Sequence, residues 1–306
     1  MKWFRRILLL VVLVPIVVVI SLHFASEVII HRITQQAQES ALFDVQTLLV
    51  NDIEWAYREY NSDQEDTIVF VHGFMGSSFD FHAFNLDLAE RLPLRIIAVD
   101  LPGFGLSEKS SEYRYTSENH ALELRAFLEA LNIDQYHLVG HSMGGNVVKR
   151  HTALFESSVL SLILIAAAGL DEGPSRSVPP VWFYDLIFTN YFAQRFGVNT
   201  ATVEPLTRAQ FHPYIILNAQ IPGSIIQQFS IDQDDSGTRS LIGQIETRTL
   251  ILYGEQDAWT PPSLGQQMHA LMPNSQLVLL SETGHLPYLE NPRDTLSEIV
   301  IFLNHD

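Results

Sequence analysis

The chain has 306 residues, 47% of them apolar and 10% aromatic, which is enough to pack one large domain with an insertion or two ordinary domains and excludes a disordered chain. A formal charge of −17 argues against nucleic acid as a partner and offers anionic membrane surfaces no broad basic patch. The absence of cysteine removes disulfides, thiol nucleophiles and lipid-modified cysteine.

Lys2, Arg5 and Arg6 precede an apolar run over 7–24 that is broken only by Pro15, Ser21 and His23. As a helix that run would extend about 27 Å, close to the roughly 30 Å hydrocarbon core of a bilayer. It reads as a signal-anchor over 1–25. The positive-inside rule keeps the N-terminus cytoplasmic and places the rest of a single-pass protein outside the cytoplasm, on the periplasmic side in a bacterium. The competing reading is a cleaved signal peptide, with Val19-Ile20-Ser21 supplying the cleavage positions. Residues 26–46 are polar and Gln-rich, with apolar residues spaced for a short amphipathic helix or stalk, and are expected to act as a linker.

From 47 the pattern changes to strand-like alternation around the turn residues Asn51-Asp52, predicting a leading antiparallel hairpin. The unbroken β-branched and aromatic run over 67–71 predicts a strand buried on both faces, ending in His72-Gly73-Phe74. A helix over 79–91 and a strand over 94–99 complete a parallel crossover, followed by Asp100-Leu-Pro-Gly-Phe-Gly-Leu-Ser107. A helix over 116–131, a strand over 136–140, a helix running to 155 and a strand over 159–168 continue the alternation. It stops over 169–244, which is expected to be an inserted cap, and resumes with strands at 249–253 and 276–280 and helices at 262–271 and from 292. The expected core is therefore 47–168 together with 245–306.

Three positions carry the chemistry. Gly140-His-Ser142-Met-Gly144 places Ser142 between a strand and a helix, on a sharp turn that would push its hydroxyl into a cleft. A serine hydroxyl needs a base within hydrogen-bond reach and a third group to orient that base. Asp257 and His285 each lie just past a predicted strand, so a parallel sheet would bring both to the edge that carries Ser142, in the chain order this elbow requires. Asp257 has a second possible role as a helix cap, and Asp171 and Glu172 are rival acids. The backbone N–H groups of Met143 and Phe74 are the expected oxyanion donors. His72 is expected to brace that loop and to stand beside the substrate. From the cap, the aromatic stretch 179–196 supplies Trp182 and Phe188 as expected substrate contacts, with ordinary packing as the alternative. No His-Glu-x-x-His or cysteine cluster points to a metal.

Taken together, His72-Gly73, the 100–107 loop, Gly140-His-Ser-Met-Gly-Gly145, Gly254-Glu-Gln-Asp257 and Gly284-His285 resemble the α/β-hydrolase superfamily. With the membrane segment, the elbow is similar to that of membrane-anchored monoacylglycerol lipases and bacterial esterase-lipases. The resemblance implies an α/β fold with a mostly parallel eight-stranded sheet flanked by helices, an inserted, mainly helical cap, an acyl-enzyme on Ser142 and no cofactor. It implies a serine esterase or lipase acting on a lipid ester. The alternatives are a carbon–carbon hydrolase of ring-cleavage products and a non-catalytic scaffold that only binds a ligand.

Overall fold

A computed structural model describes residues 2–170, 178–233 and 236–304, with side chains at Val14 and from Val17 onward. Asp171 and Glu172 lie outside the described residues. Eight strands form one sheet: β1 (Gln46–Val50), β2 (Ile53–Tyr60), β3 (Thr67–Val71), β4 (Arg95–Val99), β5 (Tyr136–His141), β6 (Val159–Ile165), β7 (Thr249–Gly254) and β8 (Ser275–Leu280). Their order is β1-β2-β4-β3-β5-β6-β7-β8, with β2 antiparallel to both of its neighbours, β1 and β4, and the remaining pairings parallel. The mostly parallel eight-stranded sheet expected from the sequence is the one found.

All five residues of β3 are buried because both of its faces are covered. Ile68 and Phe70 face a layer with Phe84, Leu88, Ile299 and Phe302, from α2 (His82–Ala89) and the C-terminal helix Pro292–Asn304. Val69 and Val71 face Leu124, Leu128, Val147 and Val148, from α3 (Ser117–Ala130) and α4 (Met143–Leu154). The continuous apolar run is thus the consequence of two-sided burial. The chain order around β3 reverses, with β4 on one side and β5 on the other, and in such sheets a crevice opens at the carboxyl ends of the two strands. The register pairs Val71 with Gly140, which sets the 72–74 loop beside Ser142.

Two expectations change. The N-terminal helix α1 does not stop near 25; it runs as one helix over Lys2–Ala37. Its later part is no free spacer. Ser26 and Ile33 are buried, with Ile29, Ile30 and Ala37 on the same face, and this stripe packs against two cap helices. Beyond the helix, buried Arg58 fixes the connection to β1 by donating to the carbonyl oxygens of Ala41 (2.6 Å), Leu42 (2.5 Å) and Asp44 (2.8 Å). The second change is β6, which ends at Ile165, because Ala166 turns into a left-handed conformation at φ 44°.

Between β6 and β7 the described residues form α5 (Val181–Phe188), α6 (Tyr191–Ala201), α7 (Arg208–Asn218), α8 (Gly223–Asp232) and α9 (Thr238–Ile242). The first four lie over the carboxyl edge as a helical cap. The fifth returns to the core and packs on α4 and on α10 (Pro262–Leu271). The short helix α11 (Pro287–Glu290) precedes α12, the C-terminal helix.

Candidate active site

Ser142 sits between β5 and α4 at φ 51° and ψ −117°, a conformation costly for a residue with a Cβ. The turn is tight because two glycines let its limbs meet. A Cβ on Gly140 would lie 2.6 Å from the Gly144 carbonyl oxygen, and one on Gly144 would lie 2.4 Å from those of Val71 and His72. Backbone bonds hold the strained residue: its N–H donates to Ile165 O at 3.0 Å, and its carbonyl accepts from Gly145 and Ala168 at 2.9 Å each.

His285, on the loop between β8 and α11, is buried at 2% exposure, and its Nε2 lies 3.0 Å from Ser142 Oγ. Its Nδ1 lies 2.8 Å from Asp257 Oδ2. The structure therefore brings the three predicted residues into one hydrogen-bonded line. With Asp257 as acceptor, Nδ1 carries the proton and Nε2 is free to accept from the serine hydroxyl.

Asp257 holds its place through both oxygens. Oδ1 accepts the N–H groups of Trp259 (2.8 Å) and Thr260 (2.9 Å), while Oδ2 meets His285 and the Thr260 hydroxyl (2.8 Å). Burial works to raise its pKa, yet the net displacement is downward, because the His285 imidazole and the Thr260 donors favour the carboxylate. Its second possible role does not apply at α10, which begins at a Pro261 cap with no side-chain bond. Thr260, which the sequence did not single out, also lies 3.1 Å from His285 Nδ1 and 2.9 Å from Ala166 O, tying the acid loop to the end of β6.

The first-turn N–H of Met143 heads α4, and such groups have no intrahelical acceptor. Phe74 lies in the facing loop, where Gly73 comes so close that a Cβ there would sit 3.0 Å from Ser142 Cβ. His72 is fully buried and does not line the pocket; its Nε2 accepts from Leu101 N–H at 3.0 Å and its Nδ1 donates to Gly73 O at 2.7 Å. It ties the loop to Leu101 and lies outside the pocket lining.

Ser142 and His285 open into a pocket of about 390 Å³ beneath the cap. Its cap wall comes from α6, α7 and the loop between them, through Val198, Ala201, Leu206, Ala209, Pro213 and Tyr214. Trp259 stands beside it, half exposed, with Nε1 donating to Thr200 Oγ1 at 3.1 Å. The expected contacts Trp182 and Phe188 are not in this wall. Asp185 accepts Gly223 N–H at 2.8 Å and holds α5 against α8, away from α7, which leaves Trp182 65% exposed. Phe188 instead meets the Phe74 ring edge-on at 6.0 Å, backing the loop from outside the pocket. No sequence signal separated these aromatics from the aliphatic residues of α6 and α7, since both sets form apolar faces.

Comparison with known proteins agrees with this fold. The family model described as alpha/beta hydrolase family matches residues 68–299. Lipase 3 of Moraxella sp. (strain TA144) is 23% identical over 289 residues, covering 89% of this chain and 88% of its own. The 2-hydroxy-6-oxo-2,4-heptadienoate hydrolase of Pseudomonas putida is 28% identical over 218 residues, 68% of this chain and 78% of its own. The crystal structure of a membrane phospholipase A, described as a bacterial virulence factor, superposes with a TM-score of 0.74 at 26% identity, covering 98% of each chain. With its elbow, sheet order and matched span in agreement, the chain belongs to the alpha/beta hydrolase family.

Proposed function

We propose that this hydrolase is a serine esterase that cleaves neutral lipid acyl esters, close in kind to a monoacylglycerol lipase. The observation that carries the reading is the 3.0 Å and 2.8 Å hydrogen-bond line from Ser142 through His285 to Asp257, at the end of an apolar pocket. His285 Nε2 takes the hydroxyl proton as Ser142 Oγ attacks the ester carbonyl, while Asp257 stabilises the imidazolium that forms. The N–H groups of Phe74 and Met143 receive the developing oxyanion, each worth about 3 kcal/mol to the transition state. The C–O bond then breaks, the imidazolium returns its proton to the departing alcohol, and an acyl-enzyme remains on Ser142. Water, deprotonated by His285, attacks that ester; release of the acid returns the serine hydroxyl.

The similarity to a lipase and to a membrane phospholipase supports an acyl ester as substrate. A carbon–carbon hydrolase could use the same three residues, and one relative is named for that chemistry. Its substrate, as an oxo-dienoate, carries a carboxylate, and among the described residues no lysine or arginine lines the pocket to receive one. The apolar helix α1, with 17–37 long and apolar enough to cross a bilayer, supports a membrane anchor that keeps the domain at a lipid surface. The test is a panel of lipid esters and one ring-cleavage product, run on wild type and Ser142→Ala. Wild type is expected to hydrolyse the esters in mixed micelles and to be labelled at Ser142 by an organophosphonate, and the variant to do neither. Turnover of the ring-cleavage product alone would replace this reading with the carbon–carbon one, and absence of any turnover with that of a binding scaffold.

A further inference from the structure

One half-buried acid of the pocket has no part in the reaction described above. Asp80 lies in the 3-10 turn Ser78–Phe81 and lines the same pocket as Ser142. Among the described residues only Ser77 bonds its carboxyl group. The Ser77 N–H donates to Oδ2 at 3.2 Å, and the Ser77 hydroxyl lies 3.5 Å from Oδ1. The first of these belongs to a capping box at the start of the turn. A carboxylate offers about four acceptor positions, so at least two remain for whatever occupies the cavity.

Two phenols share this corner. Tyr214 on α7 and Tyr288 on α11 line the pocket, and the charge of Asp80 helps burial to raise the pKa of both. The Tyr288 hydroxyl lies 3.4 Å from Nδ1 of His141, the neighbour of Ser142 in sequence. Around them the lining is mainly apolar, with Val198, Ala201, Leu206 and Leu289 beside His82 and Gln210, and among the described residues it includes no lysine or arginine. Burial in such surroundings pushes the Asp80 pKa up to about 7. In its charged form that acid repels phosphate or a second carboxylate. A hydroxyl suits it in either protonation state, accepting from the acid or donating to the carboxylate.

We propose that Asp80, with the hydroxyls of Tyr214 and Tyr288, forms a hydroxyl-binding subsite, and that the preferred ester carries a neutral polyol of the glycerol kind as its alcohol. This rests on the reading of Ser142 as the nucleophile. It adds a choice of leaving group to a pocket whose other walls are mainly apolar.

The test compares the glyceryl, methyl and choline esters of one fatty acid in mixed micelles, reading kcat/KM for wild type, Asp80→Ala, Tyr214→Phe, Tyr288→Phe and Ser142→Ala. Wild type is expected to favour the glyceryl over the methyl ester by at least tenfold. Asp80→Ala is expected to lower that ratio roughly tenfold or more, and each Phe variant several-fold, the scale of losing one hydrogen bond to a buried partner. The Phe variants keep every ring contact, so they report on the subsite even where Asp80→Ala fails to fold. A wild-type preference for the choline ester, or an equal fall on glyceryl and methyl esters in all three subsite variants, would overturn the proposal and leave Asp80 as a turn cap only. Wild type that cleaves no ester and leaves Ser142 unlabelled would refute the esterase reading itself, a result distinguishable from either.

Discussion

Thr260 decides how firmly the proposed acid is held. Its N–H and its hydroxyl both reach Asp257, and the hydroxyl lies between that carboxylate, His285 and Ala166 O. If Asp257 orients the imidazole, Asp257→Asn leaves the shape nearly intact but offers His285 Nδ1 the wrong partner, and kcat is expected to fall by about three to four orders of magnitude. Thr260→Val keeps the shape and removes only the hydroxyl, so a fall of roughly tenfold is expected with Tm nearly unchanged. Steady-state kinetics on one soluble ester, beside thermal melts, checks both. Ser142, Asp257 and His285 were legible in the sequence because each sits in a short motif at a strand end, where backbone geometry is set by adjacent residues. Thr260 was not, because its role depends on a distance across the sheet edge to Ala166, which no spacing along the chain encodes.

At the scale of elements, α1 and the cap are one packing unit. Ser26 Oγ accepts the N–H of Tyr191 at 2.6 Å, at the head of α6, and Ile33 packs in a cluster with Val198, Leu206, Phe211 and Ile215. The same α6 and α7 wall the pocket on their other side. Deleting 2–25 removes apolar residues that the fold leaves exposed from Val17 to Phe24 and is expected to leave Tm close to that of the full chain in detergent. Deleting 2–40 removes the Ile29, Ile30 and Ile33 stripe as well. At about 1.5–3 kcal/mol for each fully buried aliphatic side chain, it is expected to cost about 3 kcal/mol or more and to raise KM as the pocket wall loosens. Equal melting temperatures for the two truncations would show that the α1 contacts do not stabilise the cap. The amphipathic spacing over 26–37 was visible in the sequence; that it continues the apolar helix without a break was not, because a polar run after an apolar one suits a flexible spacer equally well until a partner surface is present.

For the whole molecule, buried neutral histidines set the behaviour in acid. His120 and His141 are lowered from 6.5 to about 3, and His151 to about 4, in each case chiefly by burial. The unfolded chain protonates these imidazoles near 6.5 and the folded one does not. Between about pH 4 and 6.5 the unfolded state therefore binds more protons, and stability falls as pH falls through that window. Each imidazole contributes about 1.4 kcal/mol per pH unit below 6.5, so acidification from pH 7 to 5 is expected to cost about 2 kcal/mol per histidine. Denaturant titrations at the two pH values check this; a His151→Gln variant, which removes one titrating group, is expected to show a smaller pH dependence than wild type.

By itself the sequence determined the order of strands and helices, the turn that carries Ser142, and the two loops that carry Asp257 and His285. Those features follow from short-range causes: period and β-branching for strands buried on two faces, absent Cβ atoms at Gly140 and Gly144 for the close turn, and the parallel crossover that collects strand ends at one edge. Only the tertiary structure decided which cap helices wall the pocket, where α1 ends, and that Asp80 and Ser142 line the same cavity. Several faces of this chain are equally apolar in sequence. Which of them meet, and which acid is enclosed when they do, depends on the packing of elements that lie far apart along the chain.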